Sequence, residues 1–278
     1  MWLMCETDHY LSRAMTEVLV PPSYVGALGI ELSLDGDLAV GRVEVVPSFL
    51  KPGTDRVRVG VLATLVDMVA GSPAHGVINP TVDLRVSILS RPPSEGIVHL
   101  VCRPIKIGRR LFVGETILHT GDIEQPFARS MVTFINKILP GGSILREPMP
   151  MTPLGAASYD ESLLLRESAP GVFEMDAHEA VRNGPAGTIQ GGAQALMAEL
   201  AAERALERRL DRDAGDHEVV DLEIRYVNRV RRGPVTAVGE VLPGGLDGIC
   251  VRVPIREPVS DDRIVSLASM HCRPVDGS

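Results

Sequence analysis

The chain repeats itself, and that repeat limits its possible folds more than any other feature. From Asn183 to Arg209 it reads NGPAGTIQGGAQALMAELAAERALERR, a glycine-rich turn followed by strong helix formers. Around Arg58 a second version reads RVGVLATLVDMVAG. Aligned, Arg58 falls on Gln190, Val59-Gly60 on Gly191-Gly192, and Asp67 on Glu199. Both versions set an acid at the same position in an otherwise apolar helix. A carboxylate there is costly to desolvate and seldom serves packing.

The match runs on. Val82-Asp83-Leu84 corresponds to Val220-Asp221-Leu222, and alternating segments rich in Val, Ile and Thr follow each, punctuated by Pro and Gly. A repeat of this length sets the domain count at two. Each unit reads as one long helix followed by several strands, an α+β plan in which a helix lies on an antiparallel sheet. In the first unit a hairpin turns at Asp35-Gly36-Asp37, and the helix spans roughly Val59 to Ala70. The Pro- and Gly-rich residues 140–155 make the linker, so the units are 1–147 and 148–278. Residues 1 to about 20 read as a short helix or arm ending at Pro21-Pro22.

Helix starts leave N–H groups unpaired and carry partial positive charge, which suits a developing oxyanion. Glycine lets a ligand approach that backbone closely. Asn183, then Gly187-Thr188-Ile189-Gln190-Gly191-Gly192, then Glu199 resembles the Asn…Gly-Thr-x-His-Gly-Gly…Asp pattern of hotdog-fold acyl-CoA thioesterases. These are the phenylacetate-pathway and 4-hydroxybenzoyl-CoA type. Thr81-Val82-Asp83-Leu84 is similar to the Ser/Thr-x-Asp-hydrophobic strand of the same enzymes. The resemblance covers nearly the whole chain as two tandem hotdog units, each a helix wrapped by an antiparallel sheet, forming an intrachain pseudo-dimer. The chain departs from the pattern at Gln190 (His is usual), at Glu199 (Asp), and at Arg58-Val59 (His-Gly).

Along one helix Gly191 and Glu199 stand ~12 Å apart at ~1.5 Å per residue, too far to meet at one carbonyl. An antiparallel neighbouring helix resolves this, and the resemblance implies the same cross-pairing. In one composite site Asp67 and Thr81 meet Asn183, Gln190 and Gly191. In the other, Glu199 meets Arg58, Val59 and Gly60. The second is the poorer one: Thr81 has Val219 as its counterpart, which brings no hydroxyl, and Gly191 has Val59. The expectation is one hydrolytic site and one degenerate site.

The roles follow the chemistry of a thioester, whose carbonyl oxygen gathers negative charge under attack. Gly191 N–H stabilises that oxygen, worth ~3–4 kcal/mol per donor. Asp67 is general base on a water or a nucleophile, and both remain open. Thr81 orients the water, while Asn183 and Gln190 orient the carbonyl or its water. Gln in place of His removes a titrating group. Around Glu199, the charges Glu203, Arg204, Glu207, Arg208 and Arg209 offer helix-spaced ion pairs.

The formal charge of −8 argues against a nucleic-acid binder. An acidic protein must therefore hold coenzyme A phosphates through local basic patches, for which Arg109-Arg110 and Arg229, Arg231 and Arg232 are the candidates. With 45% apolar but only 4% aromatic residues, the cores must be aliphatic. The four cysteines show no metal spacing, and the histidines, including His75, His99 and His271, form no ligand set. No metal, cofactor, signal peptide or membrane span is expected, which places the protein in the cytoplasm. Exposed sheet edges predict a homo-oligomer of double-hotdog chains. Two rival readings are an inactive acyl-CoA-binding or regulatory protein and an acyl-CoA hydratase or dehydratase.

Overall fold

The computed structural model describes residues 24–71, 77–78, 80–135, 137–138, 163–183, 188–210, 217–243 and 248–274. The arm before Pro21 and the linker at 140–155 lie outside these residues, as does His75. The earlier part holds β1 (Glu31–Asp35), β2 (Leu38–Glu44), helix α1 (Val59–Gly71), β3 (Val77–Ile78), β4 (Thr81–Ile88), β5 (Ile97–Ile107), β6 (Leu111–His119), β7 (Ala128–Ile135) and β8 (Lys137–Ile138). The later part holds β9 (Arg166–Ala169), β10 (Val172–Met175), β11 (Arg182–Asn183), β12 (Thr188–Ile189), helix α2 (Gly191–Leu210), β13 (His217–Tyr226), β14 (Val235–Val238), β15 (Glu240–Val241), β16 (Ile249–Glu257) and β17 (Arg263–Pro274). The β1–β2 turn falls where expected, at Gly36-Asp37, with Gly36 in the left-handed region (φ +59°).

Thirteen strands make one large antiparallel sheet, in the order β1-β2-β5-β6-β7-β4-β13-β17-β16-β14-β10-β9, with β15 beside β16. That order has the same plan from either end: a short hairpin at the edge, longer strands inward, and the strand after each helix at the centre. The central pair β4–β13 sets Leu84 opposite Ile224, Arg85 opposite Glu223 and Val86 opposite Leu222. A register irregularity falls between Thr81 and Asp83 where β4 meets β7, and between Val219 and Asp221 where β13 meets β17. The correspondence between the two halves of the sequence thus extends to a register irregularity at the matching place in each central strand.

Alternation explains which face is buried. Leu84 and Val86 of β4, Val132 and Phe134 of β7, and Ala268, Met270 and Cys272 of β17 point into an aliphatic core. Each such large side chain contributes roughly 1.5–3 kcal/mol on burial. On the outer face the seam is polar: Arg85 Nε donates to both Asp221 carboxylate oxygens at 3.0 Å, and Ser87 Oγ donates to Asp221 Oδ2 at 2.6 Å. Asp221 therefore ties the two sheet halves together.

The helices are enclosed between the inner faces of the sheet and each other, so α1 is apolar almost all round. They run antiparallel and touch at corresponding glycines. A Cβ on Gly60 would stand 2.6 Å from Leu196 Cα, and one on Gly192 would stand 2.2 Å from Thr64 Oγ1. Neither position admits a side chain. The charged end of α2 differs from the expected ladder of ion pairs. Among the described residues only Arg204–Glu207 runs along the helix, while Glu203 reaches Lys51 and Arg58, and Arg204 also reaches Glu167. Those partners lie within reach on neighbouring elements, so α2 is fastened to its surroundings rather than to itself.

Candidate active site

The two helix starts differ in what stands against them. At α1, Val59 N–H donates to Glu199 Oε1 at 3.1 Å and Gly60 N–H to Oε2 at 2.7 Å. Glu199 is 4% exposed. Burial pushes its carboxyl up to about 7, against the pull of Arg58 and the two N–H bonds, with Glu203 adding to the rise. Glu203 itself is paired, 3.0 Å from Arg58 Nη1 and 3.2 Å from Lys51 Nζ. Glu199, Arg58, Val59 and Gly60 do converge. The acid, however, takes the very N–H groups that a substrate oxygen would need.

At the other acid, Thr81 Oγ1 donates to Asp67 Oδ1 at 2.6 Å. Asp67 is only half-buried by exposure. Desolvation nonetheless pushes its carboxyl up to about 6, with the Thr81 bond opposing. Tyr226 brings this acid and the start of α2 to one place. Its hydroxyl donates to Gly191 O at 2.9 Å, and desolvation, then the charge of Asp67, then Tyr24 raise its pKa well above the usual phenol value. Among the described residues, no side chain accepts from Gly191 or Gly192 N–H. Beneath the crossing, Tyr24 Oη lies 2.9 Å from Thr64 Oγ1, which donates to Gly60 O at 2.8 Å.

Gln190 sits at the mouth of α2, 7% exposed, its N–H on Val181 O at 2.8 Å. Its Oε1 is buried with no hydrogen-bond partner among the described residues, an acceptor that something else must satisfy. Asn183 pairs through its backbone with Thr188 in β11–β12. Its side chain, and residues 184–187, lie outside what is described. Sequence reasoning missed Tyr226, Thr64 and Tyr24. The sequence signal for Tyr226 is its place on β13, where the repeat aligns it with Ile88 and so sets a hydroxyl where the other half has an aliphatic residue.

The basic candidates lie on two turns. The loop carrying Arg229, Arg231 and Arg232 follows β13, and Val230 N–H donates to Thr188 Oγ1 at 3.2 Å, which sets the loop beside the hairpin leading into α2. All three arginines are exposed. Glu257 braces the loop, its Oε1 accepting from the N–H groups of Arg231 and Arg232 at 2.7 Å and of Gly233 at 3.2 Å. Burial alone would raise Glu257; these bonds hold it down at about 2. Arg109 and Arg110 are also exposed, in the β5–β6 turn at the end of the row Thr81–Phe134–Phe112. Two open concavities, of about 380 and 370 Å³, lie elsewhere, beside Asp221 and His271 and beside Arg209 and Leu210. No group of His, Cys, Asp and Glu among the described residues could hold a metal ion, and no described helix is long and apolar enough to cross a membrane.

No family model matches the sequence, and no curated protein does. Solved structures do. The chain superposes on a protein of unknown function with hot dog fold from Alicyclobacillus acidocaldarius at a TM-score of 0.63, with 12% identity over 92% of this chain and 98% of that one. The chain has the hotdog fold. An acyl-CoA thioesterase II from Mycobacterium marinum gives a TM-score of 0.62, with 12% identity over 92% of this chain and all of that one. A 12:0-ACP thioesterase from Umbellularia californica gives 0.62, with 9% identity over 87% and 96%. At these identities the likeness concerns the fold. Within the hotdog arrangement, Glu199 lies against the start of α1, and Asp67 lies beside the tyrosine that holds the start of α2.

Proposed function

We propose that the protein is a thioesterase that hydrolyses an acyl-CoA to the free acid and coenzyme A at one composite site. In this reading the chain is two hotdog units in tandem, 1–147 and 148–278, paired as an intrachain pseudo-dimer. The observation that carries it is the contrast between the helix starts: Glu199 fills one, while Asp67 with Thr81 stands by the other, where no side chain among the described residues accepts from Gly191 or Gly192 N–H.

The mechanism follows from that contrast. The thioester oxygen takes the N–H of Gly191, where the helix start favours negative charge. Asp67, its pKa raised by burial, either draws a proton from a water oriented by Thr81 as that water adds to the carbonyl carbon, or attacks the carbon itself to form an anhydride that water then opens. In both routes the C–S bond breaks and coenzyme A leaves as the thiolate. Gln190, with an unsatisfied buried acceptor, takes a hydrogen bond from the water. Asn183 is proposed to orient the carbonyl from the β11–β12 hairpin. The basic turns at Arg109-Arg110 and Arg229–Arg232 are proposed to hold the phosphates of the carrier. The chain of the 12:0-ACP thioesterase shares the fold, so a phosphopantetheine arm on a carrier protein belongs in the same test. The open sheet edges at β1 and β9 support further association of chains.

A second reading is a binding protein without turnover. It is favoured by the filled α1 site and by Gln190 where a His is usual. Thiol release from short, medium, long and aromatic acyl-CoAs, and from acyl-carrier protein, separates the two. Release by the wild type, lost in Asp67→Asn and kept in Glu199→Gln, supports the single site. No release from any substrate, together with tight binding of a non-hydrolysable acyl-CoA analogue, would replace it with the binding reading.

A further inference from the structure

Gly191 and Gly192 are adjacent glycines with different neighbours. A Cβ on Gly192 would collide with Thr64, and one on Gly191 would stand 3.0 Å from both Cζ and Oη of Tyr226. Tyr226 ends β13, and its hydroxyl donates to Gly191 O at 2.9 Å. That carbonyl and the Gly192 N–H belong to one planar peptide, so a bond to the oxygen fixes where the N–H points.

The other half of the molecule shows what such N–H groups can hold. There the two oxygens of Glu199 take the N–H of Val59 and of Gly60, the counterparts of Gly191 and Gly192, and the shorter bond is to Gly60. A carboxylate thus marks both groups as anion donors. By register the counterpart of Tyr226 is Ile88, and that of Gly191 is Val59. On one side the smallest residue meets a large one; the corresponding positions of the other half hold two aliphatics of middle size. A helix opening on two glycines has no side chains to restrain its first turn. Without a carboxylate plug it needs another restraint.

We propose that Tyr226 is a positioning residue of the Asp67 site, clamping the Gly191–Gly192 peptide so that Gly192 N–H joins Gly191 N–H on the substrate oxygen. This rests on the thioesterase reading. The hydroxyl bond also polarises the peptide, which makes its N–H a better donor. Asp67 lies within electrostatic reach of the same hydroxyl, so the clamp and the acid share one space.

The test is Tyr226→Phe in the full chain, which keeps the ring and removes the bond. Amide exchange and the proton shift of Gly192, read by NMR, report on the clamp without any substrate. The expected result is exchange at Gly192 at least about ten-fold faster, with its amide proton shifted upfield. In the thiol-release assay kcat falls about 10- to 30-fold, less than the ~10²–10³ of a lost direct donor. KM changes less than about two-fold, because the bond acts on the transition-state oxygen. Unchanged Gly192 exchange overturns the proposal, and so does an undiminished kcat. A wild type that turns over nothing defeats the thioesterase reading, and the exchange result alone then decides whether the clamp exists.

Discussion

Glu199 and Asp67 occupy the same position in two matching helices, yet one carboxyl is a bonded cap and the other is not. A single methylene separates them. Glu199 reaches across the crossing to two backbone N–H groups, and Arg58 with Glu203 and Lys51 closes the space behind it. Asp67 is one carbon shorter and is held back by Thr81. Its counterpart strand position, Val219, could not restrain Glu199 in this way because it has no hydroxyl. The difference teaches that a buried acid beside a helix start is structural when it completes the unpaired N–H groups. On the proposed thioesterase reading, the acid that leaves them to the substrate is the one that serves chemistry.

The largest effect expected from breaking this comparison is on turnover. Asp67→Asn should lower kcat by about 10²–10⁴-fold with the fold intact, as expected for loss of a general base. Glu199→Gln should keep kcat within a few-fold. Steady-state kinetics on the two variants checks this, and equal losses in both would mean that both sites work. Next comes pH. Asp67 must be ionised to act as base, so kcat/KM should fall about ten-fold per pH unit below about 6 and level off above it. A profile flat from pH 5 to 8 would remove Asp67 from the role.

Stability sharpens the same contrast. Glu199→Ala leaves two buried N–H groups without an acceptor and should cost roughly 1–3 kcal/mol. Asp67→Ala should cost less than about 1 kcal/mol, since among the described residues its hydrogen bond is to the Thr81 hydroxyl rather than to a backbone N–H. Urea unfolding of both variants measures this directly. The sign of the pH effect is also fixed. Glu199 has a folded-state pKa of about 7 against an ordinary 4.5, so its contribution is fully present below about 4.5 and is lost as pH rises through about 7. Glu199→Gln should flatten that part of the Tm–pH curve. A curve unchanged by the substitution would show that Glu199 does not titrate in this range.

Much of the fold was legible because the repeat fixes it twice. Asp67 aligned with Glu199, and Val82-Asp83-Leu84 with Val220-Asp221-Leu222, located both helices and the central strands β4 and β13. The meeting of Glu199 with the start of α1 could also be read, since distance along one helix ruled out a partner on its own helix. The sequence left the plug hidden, because whether a Glu reaches N–H groups on a neighbouring helix depends on how closely the helices cross. That closeness is set by Gly60 against Leu196 and Gly192 against Thr64. Tyr226 was hidden for a related reason. A tyrosine at a strand end is ordinary until the register brings it over Gly191, and Ile88 at the matching place gives no hint of a hydroxyl's role. The helix-spaced ion pairs expected on α2 are met at Arg204–Glu207, while the other partners, Lys51, Arg58 and Glu167, are distant in sequence.

The smallest effect concerns the two basic turns, which are not equivalent in their surroundings. The Arg229–Arg232 loop is braced by Glu257 and joined to Thr188, two residues before Gln190. The Arg109-Arg110 turn lies at the far end of the Thr81 row, on strands of the other half. A carrier whose thioester sits at Gly191 passes the braced loop more directly. Exposed arginines on phosphate act as screened charges, so each reversal is worth well under a buried pair. Arg231→Glu with Arg232→Glu should raise KM for acyl-CoA about three- to ten-fold at low salt, with kcat unchanged and the effect shrinking at 0.5 M salt. The same reversal at Arg109 and Arg110 should raise KM less. An inverted order would put the phosphates on the Thr81 side, and with them the direction from which the substrate enters.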